Sequence, residues 1–191
     1  ITAAMAQGTG LVRFEEAYPE RFFDVGIAEQ HAVTFAAGMA AAGMVPVVAI
    51  YSSFLQRSYD QILHDVCLQK LHVILAIDRA GLVGQDGETH QGIYDLAYLS
   101  HMPHMIVLAP KNRYELEAML DYAYAYDGPI AIRYPRGSAY KGHADIQTPI
   151  VYGKSEVIQE ASGVAVFSCG HMMEEADRLV ERLEAKQIPV T

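Results

Sequence analysis

Pro46-Val47-Val48-Ala49-Ile50-Tyr51 and Val73-Ile74-Leu75-Ala76-Ile77-Asp78 are two runs that stay apolar until a polar residue closes each. Runs of this length and composition mark strands buried on both faces, which is the habit of a parallel sheet covered by helices. The segments on either side carry the other half of that pattern. Phe54 to Lys70 reads as a helix, with Leu55, Tyr59, Ile62, Leu63 and Val66 at three- and four-residue spacing on one side. Ala28 to Ala42 reads as a helix rich in small residues, closed by Gly43. Further out, Arg21 to Val25, Met105 to Ala109 and Pro129 to Tyr134 read as strands. Ile93 to Ser100 reads as a short helix, and Asn112 to Tyr126 as a longer one with Asn112 as N-cap. Strands alternating with helices predict an α/β fold, a mostly parallel sheet flanked by helices with right-handed crossovers. From Arg136 to Gln159 the pattern dissolves into Gly, Ser, Lys, His and Pro, which reads as a linker. Val164 to Cys169, Met172 to Lys186 and Ile188 onward restart a strand-helix-strand unit, the start of a second α/β domain.

The composition bounds what such a chain can do. At 191 residues and 51% apolar it has material for one full domain and part of another. A net charge of -9 excludes the basic face that nucleic acid needs, although a few arginines can still hold a phosphate. The two cysteines, Cys67 and Cys169, are far apart and outside any C-x-x-C, so buried reduced thiols and a reducing compartment are expected, the cytoplasm of a bacterium or the plastid of a plant. No apolar run is long enough to span a bilayer and no leader-like segment opens the chain. The start at Ile1, without Met, and the stop at Thr191 inside an apparent strand predict a fragment of a longer polypeptide.

In an open parallel sheet, ligands sit beyond the carboxyl ends of the strands. Four polar clusters fall there: Asp24 to His31, Tyr51 to Arg57, Arg79 to Gly92, and Tyr134 to Gly137. The third is a loop longer than the roughly 12 residues usual inside a compact domain, which favours function over a mobile excursion. Its glycines permit tight turns and close approach of backbone to a ligand. Glu29 opens a helix, ordinarily a surface position favoured by the helix dipole. Its neighbours Gly26, Ile27, Ala28, Ala32 and Val33 are small or apolar, however, and a carboxyl buried among them is equipped for proton transfer. Asp86, Glu88 and His90 alternate, but nothing supplies the remaining ligands of a metal site, so none is expected. The other histidines show no ligand spacing. Arg57, Arg79 and Arg136 could make a cationic patch for phosphate, against the ordinary alternative of separate salt bridges.

Four stretches carry a resemblance: D-V-G-I-A-E-Q-H-A (Asp24 to Ala32), I-Y-S-S-F-L-Q-R-S-Y-D-Q (Ile50 to Gln61), D-R-A-G-L-V-G-Q-D-G-E-T-H-Q-G (Asp78 to Gly92) and R-Y-P-R-G (Arg133 to Gly137). In this order they resemble the transketolase-like thiamin-diphosphate enzymes and cover most of residues 1 to 140. The second and third point to the branch that decarboxylates pyruvate and condenses the two-carbon unit with glyceraldehyde 3-phosphate to 1-deoxy-D-xylulose 5-phosphate. The resemblance implies a pyrimidine-binding domain over 1–140, a linker over 141–159 and a truncated C-terminal domain over 160–191. It implies that Glu29 hydrogen-bonds N1′ of the cofactor's aminopyrimidine, favouring the 4′-imino tautomer that takes the C2 proton of the thiazolium. Phe54 would stack on the pyrimidine, with Tyr51 and Arg57 lining the pocket. His90 would serve proton transfer, and Asp86 would contact the same region. Tyr51, Arg79 and Arg136 would hold the substrate phosphate. The family binds the diphosphate through Mg²⁺ on an N-terminal domain with a G-D-G motif, and G-D-G occurs nowhere here. This chain is therefore expected to lack the metal site, to need the N-terminal domain of the same enzyme as partner and to be inactive alone, and the resemblance further implies a homodimer. A transketolase or the β-type subunit of a 2-oxo-acid dehydrogenase would share Glu29 and the D-G-x-x-H loop, but not Arg79 and F-L-Q-R. A non-catalytic partner module would share only the fold.

Overall fold

β1 (Val47–Tyr51), β2 (Ile74–Asp78), β3 (Ile106–Leu108) and β4 (Ile130–Arg133) form one parallel sheet in the order β1-β2-β4-β3. The computed structural model describes residues 1–191. Every residue of β2 and β4 is buried, which explains why their sequences are apolar runs without alternation. The register sets Tyr51 beside Asp78, and Ile77 beside Arg133. The polar residues that close β1, β2 and β4 therefore lie along one edge of the sheet.

The helices are α1 (Val12–Ala17), α2 (Glu29–Ala41), α3 (Ser52–Leu55), α4 (Tyr59–Gln61), α5 (Asp95–Leu99), α6 (Arg113–Ala125) and α7 (Met173–Glu184). Ala32, Val33, Ala36 and Ala37 of α2 join Val48, Ile50, Leu55, Ile62, Val66, Leu75 and Ile77 in the main core. The small residues of α2 let its backbone lie close to its neighbours, and the branched residues fill the space between. Each fully buried Ile or Leu contributes about 1.5–3 kcal/mol. The Asn112 side chain accepts the Glu115 backbone N–H at 2.9 Å, the N-cap expected for α6.

Four expectations are corrected. Arg21 to Val25 is not a ladder strand: Pro19–Arg21 is a 3-10 turn, and only Asp24 bridges, in parallel, to Thr2, which also bridges Ala49. Pairing ends there because Ala4 (φ 58°) and Gly26 (φ 71°) both turn left-handed, each donating its N–H to the Asp24 carboxylate. Phe54 to Lys70 is not one regular helix. It passes from α3 through a 3-10 turn at Gln56–Ser58 and α4 into a π-turn over Ile62–Cys67. The wider turn, with Leu68 N–H bonded to Leu63 C=O and Leu71 N–H to Val66 C=O, keeps Ile62, Val66 and Cys67 all in the core. Val164 to Cys169 makes a single parallel bridge, Val164 to Val190, and Phe167 stays exposed, since one short neighbour cannot sustain a strand. Finally, only Cys67 is buried, and burial pushes its thiol up to about 12, whereas Cys169 is exposed.

Contacts divide the chain into two units, Ile1–Leu108 with Ala123–Arg136, and Ala109–Tyr122 with Gly137–Thr191. In the second, Asp177 of α7 accepts hydrogen bonds from Tyr140 (2.5 Å) and pairs with His143 (3.0 Å), and Lys111 pairs with Glu156 at 2.6 Å. No helix is long and apolar enough to cross a membrane.

Candidate active site

All the site residues expected from the sequence belong to the first unit, and they meet at the carboxyl edge of its sheet. Glu29 is the first residue of α2 and is only 2% exposed. A buried carboxylate requires a partner. Arg57, from the 3-10 turn after β1, supplies it, with Nη1 2.9 Å from Glu29 Oε1. The same guanidinium lies 5.6 Å from the centroid of the Phe54 ring. Phe54 in turn stacks on Tyr51 (5.8 Å, 18°) and meets His90 edge-on at 5.0 Å. His90 and Tyr51 are themselves 6.3 Å apart. The break from α3 into the 3-10 turn delivers Phe54 and Arg57 to this edge while Leu55 and Ser58 stay buried.

Arg79 follows β2 in a left-handed conformation (φ 57°), a strained position for a side-chain-bearing residue. Its backbone N–H donates to Asp78 Oδ1 at 2.6 Å. Its Nη1 donates to Asp78 Oδ2 (2.6 Å) and to the Gly8 carbonyl (2.5 Å), and the guanidinium carbon sits 4.0 Å over the Tyr51 ring. Burial pushes the Asp78 carboxyl up, opposed by the hydrogen bonds and charge of Arg79. Burial likewise pushes the Tyr51 phenol up against the pull of Arg79, so the ring stays neutral beneath the guanidinium.

The long loop is closed at its neck by paired hydrogen bonds between Gly81 and Gly92 (2.7 and 2.8 Å). A Cβ at Gly92 would stand 2.1 Å from the Arg79 carbonyl oxygen, so the neck closes only on glycine. Inside the loop, the Gln91 side chain accepts from Val83 N–H and donates to Gly87 C=O, and Thr89 meets His90 Nδ1 at 2.9 Å. Asp86 Oδ2 lies 3.5 Å from Arg79 Nε and 3.3 Å from Arg136 Nε, and Gln85 accepts from Arg136 Nη1 at 2.7 Å.

The three arginines thus do not make one cationic patch. Arg57 belongs to Glu29, while Arg79 and Arg136 share Asp86. No three His, Cys, Asp or Glu side chains converge as a metal-holding group. Several residues of the site were not expected from sequence. Asp78 is the buried clamp on Arg79, Gln85 holds Arg136, and Gly8 is packed so tightly that a Cβ would lie 1.6 Å from Tyr51 Oη. Asp95 and Arg133 form a buried pair at 2.9 Å where β4 ends. The D-R dipeptide could have flagged Asp78; nothing around Gly8 could. The donor set suits a neutral aromatic heterocycle. It offers a buried carboxyl, a phenyl ring and an imidazole together, with Arg79 and Arg136 paired to Asp86 beyond them.

This fold and site define a pyrimidine-binding domain of the transketolase kind. The chain belongs to the family described as transketolase, pyrimidine binding domain, which matches residues 1–141. Its whole length is 59% identical to part of the 1-deoxy-D-xylulose-5-phosphate synthase of Lachnoclostridium phytofermentans and 56% identical, over 194 residues, to that of Thermomicrobium roseum. In each case it spans 31% of the relative's length. Among solved structures, a split-gene transketolase described as an inactive beta4 tetramer is 31% identical with a TM-score of 0.85, covering 100% of this chain and 62% of that one. The transketolase of Campylobacter jejuni, at 17% identity and TM-score 0.78 over 99% of this chain and 31% of its own, shares the fold.

Proposed function

We propose that this chain forms the pyrimidine side of the active site of a thiamin-diphosphate-dependent 1-deoxy-D-xylulose-5-phosphate synthase, in which pyruvate is decarboxylated and its two-carbon unit joined to glyceraldehyde 3-phosphate. The observation that carries the reading is Glu29, buried at a helix start and tied by Arg57 to the Phe54–His90 pair. The relatives' name and the identities of 54% and above support the choice of reaction.

Thiamin diphosphate, when bound, supplies the carbanion chemistry. Glu29 holds a proton at N1′ of the aminopyrimidine, and Arg57 keeps that carboxyl in place. Phe54 provides the wall for the ring, with Tyr51 beside it. His90, edge-on to Phe54, moves protons and hydrogen-bonds oxygen atoms of the reacting carbons, and Asp86 borders the same space. Tyr51, Arg79 and Arg136 receive the acceptor's phosphate, the planar guanidinium groups matching its oxygens. Residues 1–140 make this domain, 141–159 a linker and 160–191 the opening of a C-terminal domain. Mg²⁺ and the diphosphate are held by the N-terminal domain of the same enzyme, which works as a homodimer in the bacterial cytoplasm.

Product analysis on the full-length enzyme tests the reading. With pyruvate and glyceraldehyde 3-phosphate it forms 1-deoxy-D-xylulose 5-phosphate. Ketol transfer between sugar phosphates without that product assigns the site to a transketolase instead.

A further inference from the structure

The seat between Arg79 and Arg136 already contains an anion of the protein's own. Asp86 Oδ2 lies within ion-pair distance of both Nε atoms, 3.5 and 3.3 Å, yet it hydrogen-bonds neither. Both Asp86 Oδ2 and Arg79 Nε are buried without a hydrogen-bond partner. The carboxylate therefore balances charge but leaves donors unused, and a buried donor left unused favours any acceptor that reaches it. Arg79 does not need Asp86 to stay put, because Asp78 and the Gly8 carbonyl hold its Nη1. The contacts to Arg136 come from one short turn, Gly84–Asp86, through Gln85 and Asp86. That turn starts on Gly84 (φ 48°) and is followed by Gly87 (φ 80°), two positive-φ positions that glycine adopts without steric cost.

We propose that Asp86 is a stand-in for the acceptor's phosphate: it occupies the two-arginine seat until a phosphate monoester displaces it together with Gln85. The proposal rests on the reading of Arg79 and Arg136 as the phosphate seat and adds a selection rule. A phosphate dianion outcompetes a single carboxylate for two guanidinium groups, whereas an unphosphorylated aldehyde brings nothing to displace it and finds the seat closed.

Calorimetric titration of the full-length enzyme with inorganic phosphate tests this, with turnover playing no part in the readout. In Asp86→Asn, which keeps the shape and removes the competing charge, phosphate should bind at least about threefold more tightly than in the wild type. Asp86→Ser should move it the same way. Unchanged or weaker binding in both variants overturns the proposal and makes Asp86 a brace for the arginines. Arg136→Ala separates this from the underlying reading. It should weaken phosphate binding, and if it does not, the phosphate seat itself is misassigned and the proposal falls with it.

Discussion

Gly8 is the residue whose replacement separates shape from charge at this site. It carries no functional group, but its carbonyl accepts from Arg79 and its Cα leaves just enough room for the Tyr51 hydroxyl. Gly8→Ala forces the Tyr51 ring away and removes the platform under the Arg79 guanidinium. A cation–π contact is worth about 0.5–2 kcal/mol, so KM for glyceraldehyde 3-phosphate in the full-length enzyme should rise by about tenfold. KM for pyruvate should change much less, and equal effects on both would place Gly8 outside the phosphate seat. Asp78, one position before Arg79, accepts from the same Nη1 as the Gly8 carbonyl.

At the scale of elements, the break in the helix after β1 decides which residues face the core and which face the site. Ile62 is fully buried in the π-turn, so Ile62→Ala should cost about 2–5 kcal/mol in unfolding by denaturant. The loop neck behaves differently. Gly92→Ala sets a methyl group against the Arg79 carbonyl and Ser52, and it should open the loop with a larger loss of turnover than of thermal stability. These two elements also show what the sequence discloses. The buried strands β1, β2 and β4 were legible as apolar runs, and α2 and α6 as periodic segments. The π-turn was not, because a single widened turn leaves the three- and four-residue spacing of Leu55, Ile62 and Val66 almost intact. The first strand was misread because Arg21 to Val25 has strand composition, while left-handed Ala4 and Gly26, one of them not a glycine, cut its pairing short. Strand order placed Glu29, Phe54, Arg57, Arg79, Asp86, His90 and Arg136 in clusters at one sheet edge, and the family resemblance singled them out there as candidates. Their division into a Glu29–Arg57 pair and a separate Arg79–Asp86–Arg136 group could not, since spacing carries no information on which carboxylate meets which arginine.

For the molecule as a whole, the balance of charge has a measurable consequence in the second unit. Burial tends to push the Glu156 carboxyl up, but Lys111 and Thr148 outweigh it and hold the group below its ordinary value of 4.5. Its contribution to stability is present above that value and is lost as pH falls through the lowered one. The stability gap between wild type and Glu156→Gln should therefore close as the pH is taken below 4.5, and a gap that persists in acid would mean that the charge plays no part. On the proposed division of the site, residues 1–191 alone should bind thiamin diphosphate with Mg²⁺ weakly and show no synthase turnover, and micromolar affinity by calorimetry would contradict that division. The central claim concerns one proton. The rate at which the C2 hydrogen of bound thiamin diphosphate exchanges with deuterium, followed by NMR in the full-length enzyme, reports it directly. Glu29→Gln should slow that exchange by about 10²-fold or more while the protein stays folded, and exchange at the wild-type rate would remove Glu29 from the chemistry.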